Sequence, residues 1–172
     1  MKRLIPNYYC KSIFDIPLSF FKENNIKYIF TDLDNTLDGF DILYPTPRVF
    51  KLIEDFKKEG LEVVILSNNH EERVKDYSAP LGVKYMYHTG KPFPKKILKY
   101  IQDNSIDKNQ VVMIGDQIIT DVQAGRNAKI KVILTDKIVP QDQPVTKINR
   151  IADNFLRNRM RKKGILQNRE VK

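Results

Sequence analysis

The stretch Tyr28-Ile29-Phe30-Thr31-Asp32-Leu33-Asp34-Asn35-Thr36 decides the fold. It opens as an apolar run and ends with two carboxylates one residue apart. A short run without polar alternation is the signature of a parallel strand covered on both faces. Similar runs recur at Val63-Val64-Ile65-Leu66, Val111-Val112-Met113-Ile114 and Lys131-Val132-Ile133-Leu134, with a more mixed one at Val83-Lys84-Tyr85-Met86. Between them lie helical patterns over about 47–59, 69–79, 93–104 and 117–127. Pro47 suits the first turn of the first helix, with Thr46 as its cap and Gly60 closing it. Phe50, Ile53 and Phe56 are expected on its buried face. This alternation predicts a three-layer, doubly wound α/β parallel sheet. It is expected as a single domain over 1–172, with a basic C-terminal tail from about 157 and no internal repeat.

In such sheets ligands collect beyond the carboxyl ends of the strands. Asp32 and Asp34 follow the first run, Ser67-Asn68-Asn69 the second, Gly90-Lys91-Pro92 the third and Gly115-Asp116 the fourth. Any one aspartate there is readily explained as a helix cap or turn former. Acids and polar groups at four successive strand ends are harder to explain that way.

Two carboxylates on one short loop are costly without a compensating charge. A hard divalent cation is the natural partner, and magnesium binds through a few carboxylates, waters and substrate phosphate. Asp116 offers a further carboxylate, and Asp121, about one turn beyond, is placed to hold a metal-bound water. For a phosphate, Ser67 and Thr36 supply hydroxyls, and the turn beginning at Asn68 supplies backbone N–H groups. Lys91 supplies charge; one unit contact at about 4 Å and an effective dielectric near 20 is worth roughly 4 kcal/mol.

The four segments, taken in order, resemble the motifs of haloacid-dehalogenase-like phosphatases: DLDNT (32–36), LSNN (66–69), GKP (90–92) and GDQIITD (115–121). The finer similarity, which includes RVKDYSAPLGV (73–83), is to the YqeG-type branch of subfamily IIIA and to mitochondrial phosphatidylglycerophosphatase. The resemblance implies that Asp32 is the nucleophile and a metal ligand. It makes Asp34 the general acid and base, with its carbonyl on magnesium. Thr36, Ser67, Asn68 and Lys91 would bind the phosphoryl group, Asp116 would ligate Mg2+, and Asp121 would support the metal shell. A second acid suits an ester, whose leaving oxygen needs a proton; a dehalogenase has no such need. His70 and His88 are expected as surface and loop residues.

Bulk properties narrow the class further. One cysteine, Cys10, excludes an internal disulfide and a thiolate zinc site, and it is expected as a packing residue. No apolar run is long enough to span a bilayer, and the N-terminal segment lacks the apolar core of a signal peptide. A cytoplasmic protein is therefore expected. Of the formal net charge of +9, +6 falls between Arg157 and Lys172, so the basicity belongs to the tail. A uniformly basic nucleic-acid-binding body is not what the sequence shows, and a non-catalytic RNA- or ribosome-binding module using the basic tail ranks behind the enzymatic readings, because no aromatic-basic nucleic-acid motif accompanies it.

The connections 38–46 and 69–91 are too short for a cap domain, which leaves an open site able to take a phosphate on a large carrier. The resemblance makes phosphatidylglycerophosphate at the membrane surface the expected substrate, with a soluble sugar phosphate or nucleotide as the alternative. Ile148, Ile151, Ala152, Phe155, Leu156 and Met160 form one helical stripe, which is expected to pack on the sheet. The basic end could equally be solvated or lie peripherally on an anionic membrane.

Overall fold

The computed structural model describes residues 4–139 and 147–171, the side chains of 147–149 excepted. Six parallel strands form one sheet: β1 (Tyr8–Cys10), β2 (Tyr28–Thr31), β3 (Glu62–Leu66), β4 (Lys84–Met86), β5 (Val111–Gly115) and β6 (Lys131–Thr135). Their spatial order is β1-β6-β5-β2-β3-β4. Among the described residues six α-helices accompany them: α1 (Leu18–Glu23), α2 (Pro47–Lys58), α3 (Glu71–Ser78), α4 (Lys95–Asp103), α5 (Gln123–Ala128) and α6 (Lys147–Lys162). The expected three-layer α/β architecture is present, with β1 as an additional edge strand.

Alternation along the strands divides the core in two. Ile29, Val63, Ile65, Val112 and Ile114 face one layer, where Phe20 and Phe21 of α1, Ile53 and Phe56 of α2 and Val74 and Tyr77 of α3 pack. Phe30, Val64, Leu66, Val111 and Met113 face the other, against Ile97 and Ile101 of α4, Ala124 of α5 and Met160 of α6. Both faces are dry, which is why these strands read as unbroken apolar runs. Cys10 is buried, as expected. Gly60 follows α2 with φ +72°, a backbone that side chains resist.

Three local expectations are corrected. Phe50 is exposed, and Val49, Ile53 and Phe56 form the buried face of α2, at spacings of four and three. Thr46 holds the N-cap position of α2, as expected, but its side chain makes no capping bond; its hydroxyl and N–H go instead to Asp38, at 2.9 and 3.0 Å. The third correction concerns α6. Ile151, Ala152 and Phe155 are exposed, while Arg150, Asp153 and Arg157 are buried with Met160. The apolar stripe therefore faces outward over most of its length; Ile148 lies outside the described side chains.

The segment beyond α6 runs back to the sheet edge, where the Val171 N–H donates to the Tyr9 carbonyl at 2.8 Å. Part of the tail's charge is used internally: Arg157 and Arg161 both pair with Asp136, at 2.7 and 2.8 Å. Lys172 lies outside the described residues. Among those described, no helix is long and apolar enough to cross a membrane.

Candidate active site

From β2 the chain builds outward to β3 and β4, then crosses to β5 on the other side of β2. The crevice between the carboxyl ends of β2 and β5 is thus a topological switch point. Asp32 leaves β2 there and Asp116 leaves β5. The Asp32 N–H donates to the Ile114 carbonyl at 2.9 Å, which ties the two strand ends together.

Lys91 reaches this crevice from the loop after β4. Its Nζ donates to Asp32 Oδ1 at 2.6 Å, Asp121 Oδ1 at 2.7 Å and the Leu66 carbonyl at 3.0 Å. Asn68 positions that loop. Its Nδ2 donates to the Lys91 carbonyl at 3.0 Å, and its Oδ1 accepts from the Lys91 N–H at 2.9 Å and the Thr89 hydroxyl at 2.8 Å. The Asn68 side chain is therefore occupied in holding Lys91, and only its backbone remains for a phosphate. Ser67 is buried beside it, its Oγ accepting from the Asn69 N–H at 3.0 Å.

Asp121 lies on a π-helical turn, Ile118–Val122, that leads into α5. Such turns widen a helix locally and recur at functional sites. Asp121 Oδ2 accepts from the Gln117 N–H at 3.0 Å. Gly115 makes this approach possible: a Cβ there would lie 2.4 Å from Asp121 Cγ.

Asp32, Asp116 and Asp121 each direct a carboxylate oxygen so that the three lie within 4.8 Å of one another, all buried. Burial raises the Asp32 carboxyl well above the usual range; Lys91 pulls it down, and Asp121 and Asp116 push it further up. Burial likewise lifts Asp116 to about 7, against Arg150 and with Asp121. Burial works against the charge on Lys91 too, but Asp121 and Asp32 outweigh it and hold the amine protonated. Lys91 is thus charged, and the Asp32 and Asp116 carboxyls are raised chiefly by burial, with repulsion from Asp121 adding to it. A divalent cation would favour their ionised forms. Asp116 Oδ1 is buried with no hydrogen-bond partner among the described residues, while its Oδ2 is taken by Arg150, so one oxygen remains for an ion. The residues present therefore fit a hard divalent cation.

Asp34 is held on the other flank. Arg73 Nη2 donates to its Oδ1 at 2.9 Å and Asn69 Nδ2 to its Oδ2 at 3.2 Å. The Thr36 hydroxyl is buried and has no hydrogen-bond partner among the described residues. Asp38 pins this loop: its carbonyl accepts from the Asn35 N–H at 2.7 Å and its Oδ2 from the Tyr77 hydroxyl at 2.6 Å. Burial first, and then this bond to Asp38, push the Tyr77 hydroxyl far above its ordinary value, so it remains a donor.

Of the predicted site residues, Asp32, Lys91, Asp116 and Asp121 form one buried cluster. Asp34, Thr36, Ser67 and Asn68 stand on the adjoining loops. Asp121 does more than expected, sharing Lys91 with Asp32. Sequence reasoning missed the contribution of α6. Arg150 Nη2 donates to Asp116 Oδ2 at 2.7 Å, and Arg157 Nη2 to the Asp116 carbonyl at 2.6 Å. Asp153 Oδ1 accepts from the N–H groups of Ile118 and Ile119 at the start of the π turn. No local pattern in the sequence announces these pairings. Arg73 and Asn69 could have been suspected, because both sit within or just after the second motif.

Several known proteins resemble this chain. Residues 11–135 match the family model described as haloacid dehalogenase-like hydrolase. The chain is 37% identical over 166 residues to a Bacillus subtilis (strain 168) protein described as Probable phosphatase YqeG, covering 96% of each. Among solved structures it is similar to the cobalt-bound deoxy-D-mannose-octulosonate 8-phosphate phosphatase (YrbI) of Haemophilus influenzae. There the TM-score is 0.51 at 19% identity, over 67% of this chain and 81% of that one. A Listeria monocytogenes serotype 4b protein gives 0.53 at 16% identity, over 70% and 88%. At such identities the structural likeness speaks for the fold alone. With the family model covering well over half of its length and a relative aligned nearly end to end, the chain belongs to the haloacid dehalogenase-like hydrolases.

Proposed function

We propose that this protein is a metal-dependent phosphomonoester hydrolase that works through a phosphorylated Asp32. The observation that carries this reading is the buried cluster in which Lys91 bridges Asp32 and Asp121 while Asp116 keeps one oxygen unpartnered among the described residues. A carboxylate nucleophile divides one hard displacement into two easier ones. In the first, an Asp32 oxygen bonds to phosphorus as the ester bond breaks, and protonated Asp34 gives its proton to the departing alkoxide. In the second, Asp34 takes a proton from water, the water oxygen bonds to phosphorus, and the bond to Asp32 breaks to release phosphate. Lys91, the Ser67 and Thr36 hydroxyls and the Asn68 backbone N–H hold the phosphoryl oxygens, and fixed positive charge there is the main source of rate. When bound at Asp32, Asp116 and the Asp34 carbonyl, with Asp121 behind, magnesium supplies further charge to those oxygens. Arg73 and Asn69 keep the Asp34 carboxyl in place between the two steps.

For the substrate, the reading is phosphatidylglycerophosphate, hydrolysed to phosphatidylglycerol. It is supported by the motif similarity to mitochondrial phosphatidylglycerophosphatase. It is also supported by the short β2–α2 connection, which carries no helix or strand among the described residues and so admits a phosphate on a bulky carrier. The test is phosphate release from that lipid in mixed micelles with magnesium. Turnover well above that of Asp32→Asn is expected; lipid turnover no higher than the variant's, alongside efficient turnover of soluble sugar phosphates or nucleotides, would replace the lipid with a soluble substrate.

A further inference from the structure

Helix α6 inverts the usual order of an amphipathic helix. Its inward face spends Arg150, Asp153 and Arg157 on the active site and on Asp136. Its outward face leaves Ile151 73% and Phe155 65% exposed. At about 100° per residue, Lys162 falls on the same stripe as Ile151 and Phe155, and Arg159 lies beside it. Phe155, Arg159, Lys162 and Lys163 together line a shallow hollow of about 420 Å³. The only acid in this helix, Asp153, is on the buried side. The outward face is therefore apolar toward its N-terminal half and cationic toward its C-terminal half.

The opposite, inward face of the same helix is the one that reaches the catalytic cleft. Ile151 follows Arg150, whose guanidinium rests on Asp116. Other exposed large apolar side chains lie close to the same cleft in the chain. Phe93, 72% exposed, comes two residues after Lys91; Leu43, 65% exposed, has its carbonyl on Arg73, which holds Asp34. Scattered single apolar residues need no explanation, but Ile151 and Phe155, one turn apart on one helix face beside three cations, form a patch.

We propose that the outward face of α6 is an interfacial docking surface for an anionic phospholipid bilayer, which holds the protein at the membrane. Ile151 and Phe155 enter the headgroup–acyl boundary, while Arg159, Lys162 and Lys163 meet anionic headgroups, the division of labour of interfacial helices. A second copy of the chain is a poorer occupant, because an antiparallel two-fold contact would lay these three cations against the apolar half of the partner helix, with no acid on this face to meet them. The proposal deepens the lipid-substrate reading given above, yet it stands on the exposed face and is tested apart from it.

The experiment is co-sedimentation of the full chain with vesicles of phosphatidylcholine alone and of phosphatidylcholine with 30 mol% phosphatidylglycerol, scored beside turnover of p-nitrophenyl phosphate. Binding is expected to the anionic vesicles and to fall at least tenfold in I151S/F155S and in K162E/K163E, with p-nitrophenyl phosphate turnover unchanged. The proposal is overturned if the wild-type chain ignores anionic vesicles, or if both double variants bind them like the wild type. It is also overturned if light scattering shows a dimer that I151S/F155S converts to a monomer. Vesicle binding without lipid phosphate release keeps the docking surface and removes the substrate; lipid hydrolysis in micelles without vesicle binding does the reverse.

Discussion

Lys91→Met removes the one amine that bridges Asp32 and Asp121, both almost fully buried. The methionine fills much of the same volume, so the loss is chiefly electrostatic. Breaking a buried ion pair from one side costs about 3–5 kcal/mol, because the abandoned charge stays in low dielectric. A domain of this size loses about 2–4 °C of Tm per kcal/mol. The metal-free variant should therefore melt about 6–20 °C below the wild type in circular dichroism scans with chelator. A divalent cation should recover part of this, since ligand at about 100 times its Kd stabilises by about 2.7 kcal/mol. Turnover should not recover with it: losing one positioned charge at the phosphoryl oxygens is expected to cost about 10²–10³ in kcat. A variant that melts within a degree of the wild type in chelator, or that retains a third of its activity with metal, would refute the view that Lys91 balances the acids and grips the phosphate.

Other perturbations probe neighbouring parts of the same cluster. Gly115→Ala places a Cβ 2.4 Å from Asp121 Cγ, so Asp121 must move; calorimetry should show weaker magnesium binding while the circular dichroism of the fold persists. Arg150→Met releases Asp116 Oδ2, and since outer groups that orient a ligand are worth about 10–100-fold in metal affinity, a drop of that size is expected in titration calorimetry, partly restored in Arg150→Lys. The pH dependence follows from burial raising Asp116 to about 7. The folded, metal-free protein binds a proton there that the unfolded chain, near 3.9, has released. That contribution to stability is therefore full below about pH 4 and is lost as pH rises through about 7. Magnesium needs the ionised carboxylate, so its affinity should climb over the interval in which the apo contribution fades. Melting curves with and without magnesium between pH 5 and 8 would expose both trends.

What the sequence conveyed depended on whether the cause was local. Strands β2, β3, β5 and β6 were legible because burial on both faces leaves no polar residue to interrupt the run. Asp32, Lys91 and Asp116 were legible because each directly follows or closely trails a strand end, and the parallel topology brings those ends together. β1 was missed: three residues at a sheet edge leave too short a pattern. Phe50 was misplaced because spacings of three alone drift off a helix face, whereas Val49, Ile53 and Phe56 hold it. The orientation of α6 was read backward for a deeper reason. Its arginines are buried against an acid cluster more than thirty residues away in sequence, and no hydrophobic period records a pairing of that kind. Periodicity assumes that charge prefers water; here charge prefers Asp116 and Asp136.

The central claim is that Asp32 takes the phosphoryl group beside a cation held by the neighbouring acids. A crystal structure with magnesium and beryllium fluoride tests it most directly. The account predicts beryllium joined to an Asp32 oxygen within reach of Lys91 Nζ, and the cation on Asp32, Asp116 and the Asp34 carbonyl. Beryllium fluoride seated on another side chain, or a cation bound away from Asp116, would contradict it.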